Sequence, residues 1–364
     1  MHASIPPQTP SPIRLDAAGR WLDVIDQTRL PYELHWIRLS TCDQAAEAIR
    51  SMLIRGAPLI GAVAAWGCVF AVHEDSSDAH LQQRIRQLAA TRPTAVNLAW
   101  ALQRMQHRLL GLPPEARLGV AVAEASALCA EDTAQNLAIG KHGLRLLQNI
   151  HARTGVPVRV LTHCNAGWLA TTGWGTALAP LFLARQAGLP LQVYADETRP
   201  RNQGALTAWE LAGADIPVLY VADNAGGHLI QQGLVDLVMV GADRVSRQGD
   251  VCNKIGTYLK ALAAQDCGIP FYAAVPSPTI DWTVQDALQE IPIEERAAAE
   301  VAWVQGRTAA GGIMQVQVVP EGVACANPAF DVTPARLVSA LITEHGVFPA
   351  TGTGMAELRA HCQA

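Results

Sequence analysis

The chain has 364 residues, a length at which about two domains are expected and a core forms without a disulfide or metal staple. Its 27 basic and 32 acidic side chains give a net charge of −5, which argues against a basic nucleic-acid binder, and the 50% hydrophobic content excludes a disordered chain. Only 5% of residues are aromatic, and an aliphatic interior is typical of helices packed on parallel strands. The sequence therefore predicts an α/β protein.

The first 14 residues predict a flexible tail, because they are rich in proline and lack the apolar stretch of a signal peptide. The cysteines are scattered without CxxC pairs or zinc-finger spacing, which predicts reduced thiols, a cytoplasmic location and no metal site. The most apolar segment, Pro58–Val72, is too short to span a bilayer. It predicts a buried helix and no membrane contact.

Residues 15–150 are predicted to form a small, mainly helical N-terminal domain. A short antiparallel β element is expected first, because brief apolar runs alternate with turn residues around Pro31. Helical periodicity then predicts the helices Asp43–Ile54, Pro58–His73, Ala79–Ala90 and Thr94–Leu110. The long proline-free segment after Pro114 predicts a helix that links this domain to the next.

Residues 151–364 are predicted to form a Rossmann-like domain with a parallel sheet. Short apolar runs alternate there with helical segments, which is the pattern of consecutive βαβ units. The predicted strands are VPVRVLTHC, PLQVYADE, PVLYVAD, VDLVMVGAD and IPFYAAVP. The last predicted helix of the series is NKIGTYLKALAAQDCG, which begins at Asn253.

Polar side chains follow each predicted strand of this domain. In an open parallel sheet, ligands bind in the crevice beyond the carboxyl ends of the strands. The strand ends are Thr162–Asn165, Asp196–Arg199, Asp223–Asn224, Gly241–Arg244 and Pro276–Pro278. Because thiol, carboxylate, amide and guanidinium groups meet at this edge, a polar ligand is expected there.

Two of these residues are candidates for chemistry. His163 next to Cys164 suggests a thiol nucleophile with a histidine base, but neighbouring residues of an extended strand point to opposite faces and cannot form that pair. Cys164 is then either a reacting group or a small buried hydrophobic residue. Asp243 ends an aliphatic strand, where burial raises a carboxyl pKa and makes the group a proton donor; an ion pair with Arg244 or a helix-capping role is the alternative.

Cationic residues near predicted turns are candidates for binding an anion. Asn253 and Lys254 are expected at a helix start, where an amide and an ammonium would join free backbone N–H groups in holding a phosphate. Arg55 and Arg92 lie in turns of the helical domain and would suit a phosphate clamp between the domains. Each of these cations could instead be a solvated surface charge.

Several motifs together resemble those of the methylthioribose-1-phosphate isomerases of methionine salvage, from about Trp21 to Gly346. They are IRGAPLIGAVAAWG, TRPTAVNLAWAL, LTHCNAGWLATTGWGTALAPL, VYADETRPRNQGALTAWEL, VGADRVSRQGDVCNKIGTYLKA and NPAFDVTPARLVSALITEHG. The wider group includes ribose-1,5-bisphosphate isomerases and the regulatory subunits of the eukaryotic initiation-factor exchange complex. The combination of THCNAG, ADETRPRNQG and GADR followed by NKIGT resembles the isomerases in particular.

The resemblance implies an aldose–ketose isomerase that converts 5-methylthioribose 1-phosphate to 5-methylthioribulose 1-phosphate. It implies Cys164 and Asp243 as the catalytic pair. The implied substrate-binding residues are Arg55, Gly56, Ala57, Arg92, Gln203, Asn253 and Lys254. It further implies a helical N-terminal domain, a Rossmann-like C-terminal domain, a homodimer, and no metal or nucleotide cofactor. A sugar phosphate is the expected partner, with no nucleic acid and no membrane.

The implied chemistry leaves some roles open. The phosphate ester blocks the anomeric oxygen, so ring opening needs an acid directed at the ring oxygen; Asp243 is the candidate and Glu197 the alternative. Cys164 would then act as a base at C2 or stabilise developing charge, and a hydride shift from C2 to C1 is the competing route.

Alternative functions are a ribose-1,5-bisphosphate isomerase and a noncatalytic regulatory subunit, although a regulatory subunit would not need both Cys164 and Asp243. A nicotinamide dehydrogenase would need a complete glycine fingerprint, and Gly173–Gly175 and Gly352–Gly354 each lack the third glycine.

Overall fold

The computed structural model describes residues 10–92 and 95–363. Its helices are α1 Cys42–Arg50, α2 Ala57–Glu74, α3 Asp78–Ala89, α4 Val96–Leu109, α5 Pro114–Thr154, α6 Ala179–Gln186, α7 Gln203–Gly213, α8 Ala225–Gln231, α9 Thr257–Asp266, α10 Ala287–Glu290, α11 Ala299–Ala302 and α12 Gly352–Gln363. Its strands are β1 Ile13–Leu15, β2 Leu22–Ile25, β3 Trp36–Leu39, β4 Val158–Thr162, β5 Leu191–Asp196, β6 Val218–Val221, β7 Leu237–Val240, β8 Arg244–Ser246, β9 Val251–Lys254, β10 Phe271–Ala274, β11 Ile280–Asp281, β12 Trp303–Arg307, β13 Ile313–Gln317, β14 Phe330–Thr333, β15 Ala340–Thr343 and β16 Gly346–Pro349.

The first part of the chain is helical, as the sequence predicts. Strands β1, β2 and β3 form the expected antiparallel sheet, and helices α1 to α4 follow close to their predicted positions. Residues 1–9 of the predicted tail and Thr94, the predicted start of α4, lie outside the described residues. The tail is predicted to extend to residue 14, but Ile13 and Arg14 already belong to β1, because they pair with Val24 and Asp23 of β2.

Helix α2 forms the centre of the helical region. Every residue from Leu59 to Val72 is buried, because the segment is apolar on all faces and is surrounded by α1, α3, α4 and α5. Among the described helices, α2 alone has the length and composition that could cross a membrane, and 78% of that window is buried inside the protein. The prediction of a buried helix over this segment is confirmed.

The second part of the chain forms a seven-stranded sheet in the order β16-β15-β10-β7-β4-β5-β6. Six of these strands run parallel, and β16 turns back antiparallel to β15 at one edge. From the central strand β4 the chain adds β5 and then β6 on one side. It then crosses to the other side of β4, where it adds β7, β10 and β15 in turn. This is the Rossmann strand order, and its reversal point lies between β4 and β7. The predicted α/β class and Rossmann-like sheet are confirmed.

The long helix α5 contributes to two hydrophobic cores, one with its first half and one with its second half. Ala121, Ala125 and Leu128 of its first half pack in the core of the helical region, whereas Ile139 and Leu147 of its second half pack against the sheet. The helix therefore joins the two parts, as its proline-free sequence indicates. A domain boundary near residue 150 stays a prediction, since α5 belongs to both cores.

The structure also contains a four-stranded sheet in the order β11-β8-β9-β14, which was not predicted from the sequence. The predicted helix start at Asn253 and Lys254 is wrong, because both residues end strand β9 and helix α9 begins only at Thr257. Strand β9 pairs with β14, so that Lys254 lies opposite Phe330. This pairing keeps Asn253 and Lys254 extended, and the helix begins only after Gly256, which has a positive φ of 101°.

Candidate active site

A cavity opens at the reversal point of the large sheet, between the ends of β4 and β7 and the helical region. All of the residues that the sequence analysis assigned to catalysis or substrate binding line it: Cys164, Asp243, Arg55, Gly56, Ala57, Arg92, Gln203, Asn253 and Lys254. We call the part formed by Cys164 and Asp243 the sheet wall, and the part formed by Arg55–Ala57 and Arg92 the helical wall. Glu197, the alternative acid, is not among the lining residues.

Cys164 is the second residue after β4 and has a left-handed backbone with φ of 66°. Its thiol lines the cavity and lies within electrostatic range of Lys254, Arg55 and Asp243. Burial raises the pKa of this thiol; the charges of Lys254 and Arg55 act against that rise, and the charge of Asp243 adds to it. At neutral pH the group is therefore a thiol more than a thiolate.

His163 is not the base of a cysteine–histidine pair, but the reason is not the predicted extended strand, because β4 ends at Thr162 and Cys164 has a left-handed backbone. Its Nδ1 lies 2.8 Å from Oδ1 of Asp196 and its Nε2 lies 2.8 Å from the carbonyl oxygen of Ile255. The ring is thus engaged on both sides and directed away from Cys164.

The only group of potential metal ligands among the described residues lies at the same place, where the donor atoms of His163, Asp196 and Asp223 are within 4.8 Å of one another. Nζ of Lys260 lies 2.9 Å from Oδ2 of Asp196, and this carboxylate also faces the His163 ring. Both carboxylate oxygens of Asp196 thus already have a nitrogen partner, Oδ1 in His163 and Oδ2 in Lys260. The cluster therefore fits a network of ion pairs that holds the ends of β4 and β5.

Asp243 is the third residue after β7, and its backbone N–H donates to the carbonyl of Cys252 at 3.0 Å. Burial raises the pKa of its carboxyl group, and the charges of Lys254 and Arg92 offset part of that rise. The neighbouring Arg244 approaches Asp281 at 3.5 Å. An aliphatic strand that ends in a cavity thus gives Asp243 the environment of a proton donor.

The helical wall presents donors to the cavity at the start of α2. Arg55 is buried, and its Nη2 has no hydrogen-bond partner among the described residues. Burial lowers the pKa of Arg55 to about 10, which leaves the group charged at neutral pH. Gly56 caps the helix with φ of 99°, and a β-carbon there would overlap the backbone of Ala170. A buried guanidinium and the N-terminus of an 18-residue helix form a site for an anion.

The remaining predicted residues complete the floor of the cavity. Nζ of Lys254 donates to the carbonyl of Ala329 at 3.0 Å and lies 4.5 Å from the ring centroid of Phe330. Asn253 donates to Oγ1 of Thr257 at 3.0 Å. Gln203 begins α7, and its buried Oε1 has no partner among the described residues, which leaves it available to a ligand hydroxyl.

The segment that closes the cavity on the side of Arg92 was not predicted from the sequence. Nη2 of Arg92 donates to Glu294 at 3.3 Å, and Arg296 bridges Glu294 to Glu300, which in turn accepts from Arg201 at 2.8 Å. Ile291 and Pro292 of the same segment line the cavity. No signal in the sequence links Arg92 to a glutamate 202 residues away, so only the folded structure reveals this chain of charges.

Comparison with known proteins bears directly on this cavity. Residues 53–350 match the Initiation factor 2 subunit family. A protein of Rhodospirillum rubrum named methylthioribose-1-phosphate isomerase is 58% identical over 342 residues, which cover 92% of this chain and 88% of that protein. The chain belongs to the methylthioribose-1-phosphate isomerase family.

Solved structures agree with this family assignment. The crystal structure of 5-methylthioribose 1-phosphate isomerase from Pyrococcus horikoshii superposes with a TM-score of 0.83 at 35% identity, and the match covers 97% of each chain. A structure described as translation initiation factor eIF-2B, subunit delta, from A. fulgidus superposes with a TM-score of 0.75 at 38% identity, covering 93% of this chain and 96% of that one. The fold alone therefore does not separate an isomerase from a factor subunit, and the family assignment rests on the sequence identity over nearly the whole chain.

Proposed function

We propose that this chain is an aldose–ketose isomerase that converts 5-methylthioribose 1-phosphate to 5-methylthioribulose 1-phosphate in methionine salvage. One observation carries the proposal: Cys164 and Asp243 flank the reversal point of the sheet and face one cavity that buried cations also line. A regulatory subunit would have no use for a buried acid and a thiol at the ligand-binding end of its sheet.

Asp243 opens the sugar ring in this proposal. The ring oxygen is a weak base, and the substrate has no free anomeric hydroxyl through which an ordinary aldose opens. A carboxyl group supplies the proton only in its neutral form, and burial raises the pKa of Asp243 in that direction.

Cys164 acts on the opened chain at C1 and C2. Transfer of hydrogen from C2 to C1, either as a proton lost at C2 and delivered to C1 or as a hydride shift, forms the ketose when the C2 hydroxyl also loses its proton. That hydroxyl proton balances the one that Asp243 gives to the ring oxygen. Burial raises the pKa of Cys164, which disfavours a resting thiolate. A bound phosphate adds negative charge and opposes the thiolate further. The environment therefore favours Cys164 as a group that stabilises developing charge over Cys164 as the base.

The substrate phosphate binds at the start of α2. Arg55 offers a buried guanidinium nitrogen there that has no hydrogen-bond partner among the described residues, and the N-terminus of α2 adds the positive end of the helix dipole. Arg92 and Lys254 add positive charge near Asp243. Gln203 at the start of α7 accepts from a hydroxyl of the sugar.

Incubation of the purified protein with 5-methylthioribose 1-phosphate tests the proposal. We expect NMR to detect the ketose, without added nucleotide or metal ion. Ribose 1,5-bisphosphate is the matched second substrate, because it has the same blocked anomeric oxygen with a phosphate in place of the methylthio group. Turnover of the bisphosphate alone would move the assignment to the sister isomerase, and turnover of neither would favour a regulatory subunit.

We further propose a cytoplasmic homodimer that binds neither nucleic acid nor membrane. All of the cysteines are free thiols, which supports a cytoplasmic location because the cysteines of exported proteins commonly form disulfide bonds. The net charge of −5 opposes binding to nucleic acid. The homodimer follows from the family resemblance, and light scattering that finds a monomer at assay concentration would contradict it.

A further inference from the structure

The peptide of Cys164 is held on both sides by threonine hydroxyls. The backbone N–H of Cys164 donates to Oγ1 of Thr198 at 2.9 Å, and Oγ1 of Thr207 donates to the carbonyl oxygen of Cys164 at 2.7 Å. Between these two bonds Cys164 adopts a φ of 66°, which residues other than glycine rarely adopt. Such a conformation persists only where the surroundings enforce it.

Both threonines are themselves held in place by further hydrogen bonds. Thr198 is fully buried, its N–H donates to the carboxylate of Asp223 at 2.7 Å, and its hydroxyl donates to the carbonyl of Asp196 at 3.2 Å. Its oxygen is therefore free to accept only in the direction of Cys164. We call the two threonine hydroxyls that hold the Cys164 peptide the clamp. Its Thr198 side is anchored by residues that follow β5 and β6.

The other side of the clamp begins on helix α7. Thr207 is fully buried, and its oxygen accepts from Nδ2 of Asn165 at 3.2 Å. The same amide nitrogen donates to Oε1 of the buried Glu210 at 2.7 Å. Neither threonine lines the cavity, so each can act on the reaction only through residues that it holds: Cys164 for both threonines, and also Asn165 for Thr207.

We propose that Thr198 and Thr207 are positioning residues of the isomerisation, which clamp the peptide of Cys164 and direct its thiol into the cavity. The catalytic part of this inference rests on the proposed function. A misdirected thiol costs rate without weakening the phosphate contacts, because Arg55 and α2 are untouched.

Thr207→Val tests the clamp, because valine keeps the shape of the side chain and removes the hydroxyl. We expect kcat to fall about tenfold to a hundredfold with KM within about twofold, and Thr207→Ser to restore most of the activity. Thr343→Val is the matched control, since Thr343 is equally buried and its hydroxyl donates to the carbonyl of Gly346 away from the site. An equal fall of kcat in the control would overturn the proposal.

The direction of the thiol is measured separately by alkylation with iodoacetamide, followed by mass spectrometry of the peptide that contains Cys164. Exposed Cys267 is the internal reference. We expect Thr207→Val to slow alkylation of Cys164 about threefold or more relative to Cys267, and Thr207→Ser to restore it. An unchanged or faster rate would overturn the clamp.

The alkylation readout needs no sugar substrate, so it remains decisive if 5-methylthioribose 1-phosphate is not turned over. Slower alkylation with unchanged kcat would overturn the positioning role while leaving the proposed isomerase in place. If Thr207→Val does not fold, Thr198→Val removes the hydroxyl on the other side of Cys164 and is judged by the same two measurements.

Discussion

The sheet wall and the helical wall of the cavity differ in the groups they carry and in how the fold places them. Cys164 and Asp243 of the sheet wall follow β4 and β7, the two strands on either side of the reversal point. Arg55 and Arg92 of the helical wall lie in turns before α2 and α4. The groups proposed to react thus come from the sheet, and groups suited to an anion come from the helical region. The difference predicts that substitutions in the two walls change different kinetic constants.

The largest effect is expected for Asp243→Asn on the sheet wall. Asparagine keeps the size of the side chain but has no transferable proton, so kcat should fall by roughly 10²–10⁴-fold while KM stays near that of the parent. Steady-state kinetics on the sugar phosphate measure both constants. Exposed Asp266→Asn serves as the control and should leave both unchanged.

A smaller loss is expected for Cys164→Ser on the same wall. A hydroxyl is less polarisable and less acidic than a thiol but still donates a hydrogen bond, so kcat should fall about tenfold to a hundredfold with little change in KM. A rise in KM without a loss of kcat would place Cys164 among the binding groups. It would contradict the prediction that substitutions in the sheet wall change kcat.

On the helical wall, Arg55→Ala should act mainly on KM. A phosphate contact is present in both the ground state and the transition state, so its loss should raise KM about tenfold to a hundredfold while kcat changes little. Arg50→Ala is the matched control, because Arg50 is an exposed arginine of α1 whose ion pair among the described residues is with Glu47 at the surface. Equal KM values for the two variants would remove Arg55 from the site.

The sequence predicted the sheet wall better than its surroundings, for a physical reason. Strand ends can be recognised locally, because an aliphatic run such as Leu237–Val240 stops where polar residues begin. Asn253 and Lys254 were assigned to a helix because their strand depends on pairing with β14, and Lys254 meets Ala329 across 75 residues of chain. The link between Arg92 and Glu294 is equally nonlocal.

Buried Glu210 lies outside the contrast between the walls, and its predicted effect is on stability and not on the reaction. Burial raises the pKa of Glu210 from 4.5 to about 8, so the native state holds this proton more tightly than the unfolded state. The contribution of this proton to the free energy of unfolding therefore decreases as the pH rises from about 5 towards about 8, by at most about 1.4 kcal/mol per pH unit.

Glu210→Gln has no such proton and still accepts from Asn165, so its free energy of unfolding should depend less on pH. Urea unfolding of the parent and the variant at several pH values measures the difference. Exposed Glu357→Gln should follow the parent curve. Parallel curves for the parent and Glu210→Gln would mean that Glu210 keeps its charge in the folded protein.

The central claim is that a neutral Asp243 on the sheet wall supplies the proton that opens the ring. The pH dependence of kcat in the parent and in Asp243→Asn tests it most directly. Because burial raises the pKa of Asp243 and only its neutral form supplies the proton, turnover of the parent should fall along the alkaline limb of its pH profile as this group ionises. The variant should show a low rate without that alkaline limb. Near-normal turnover of Asp243→Asn with the same alkaline limb as the parent would contradict the claim.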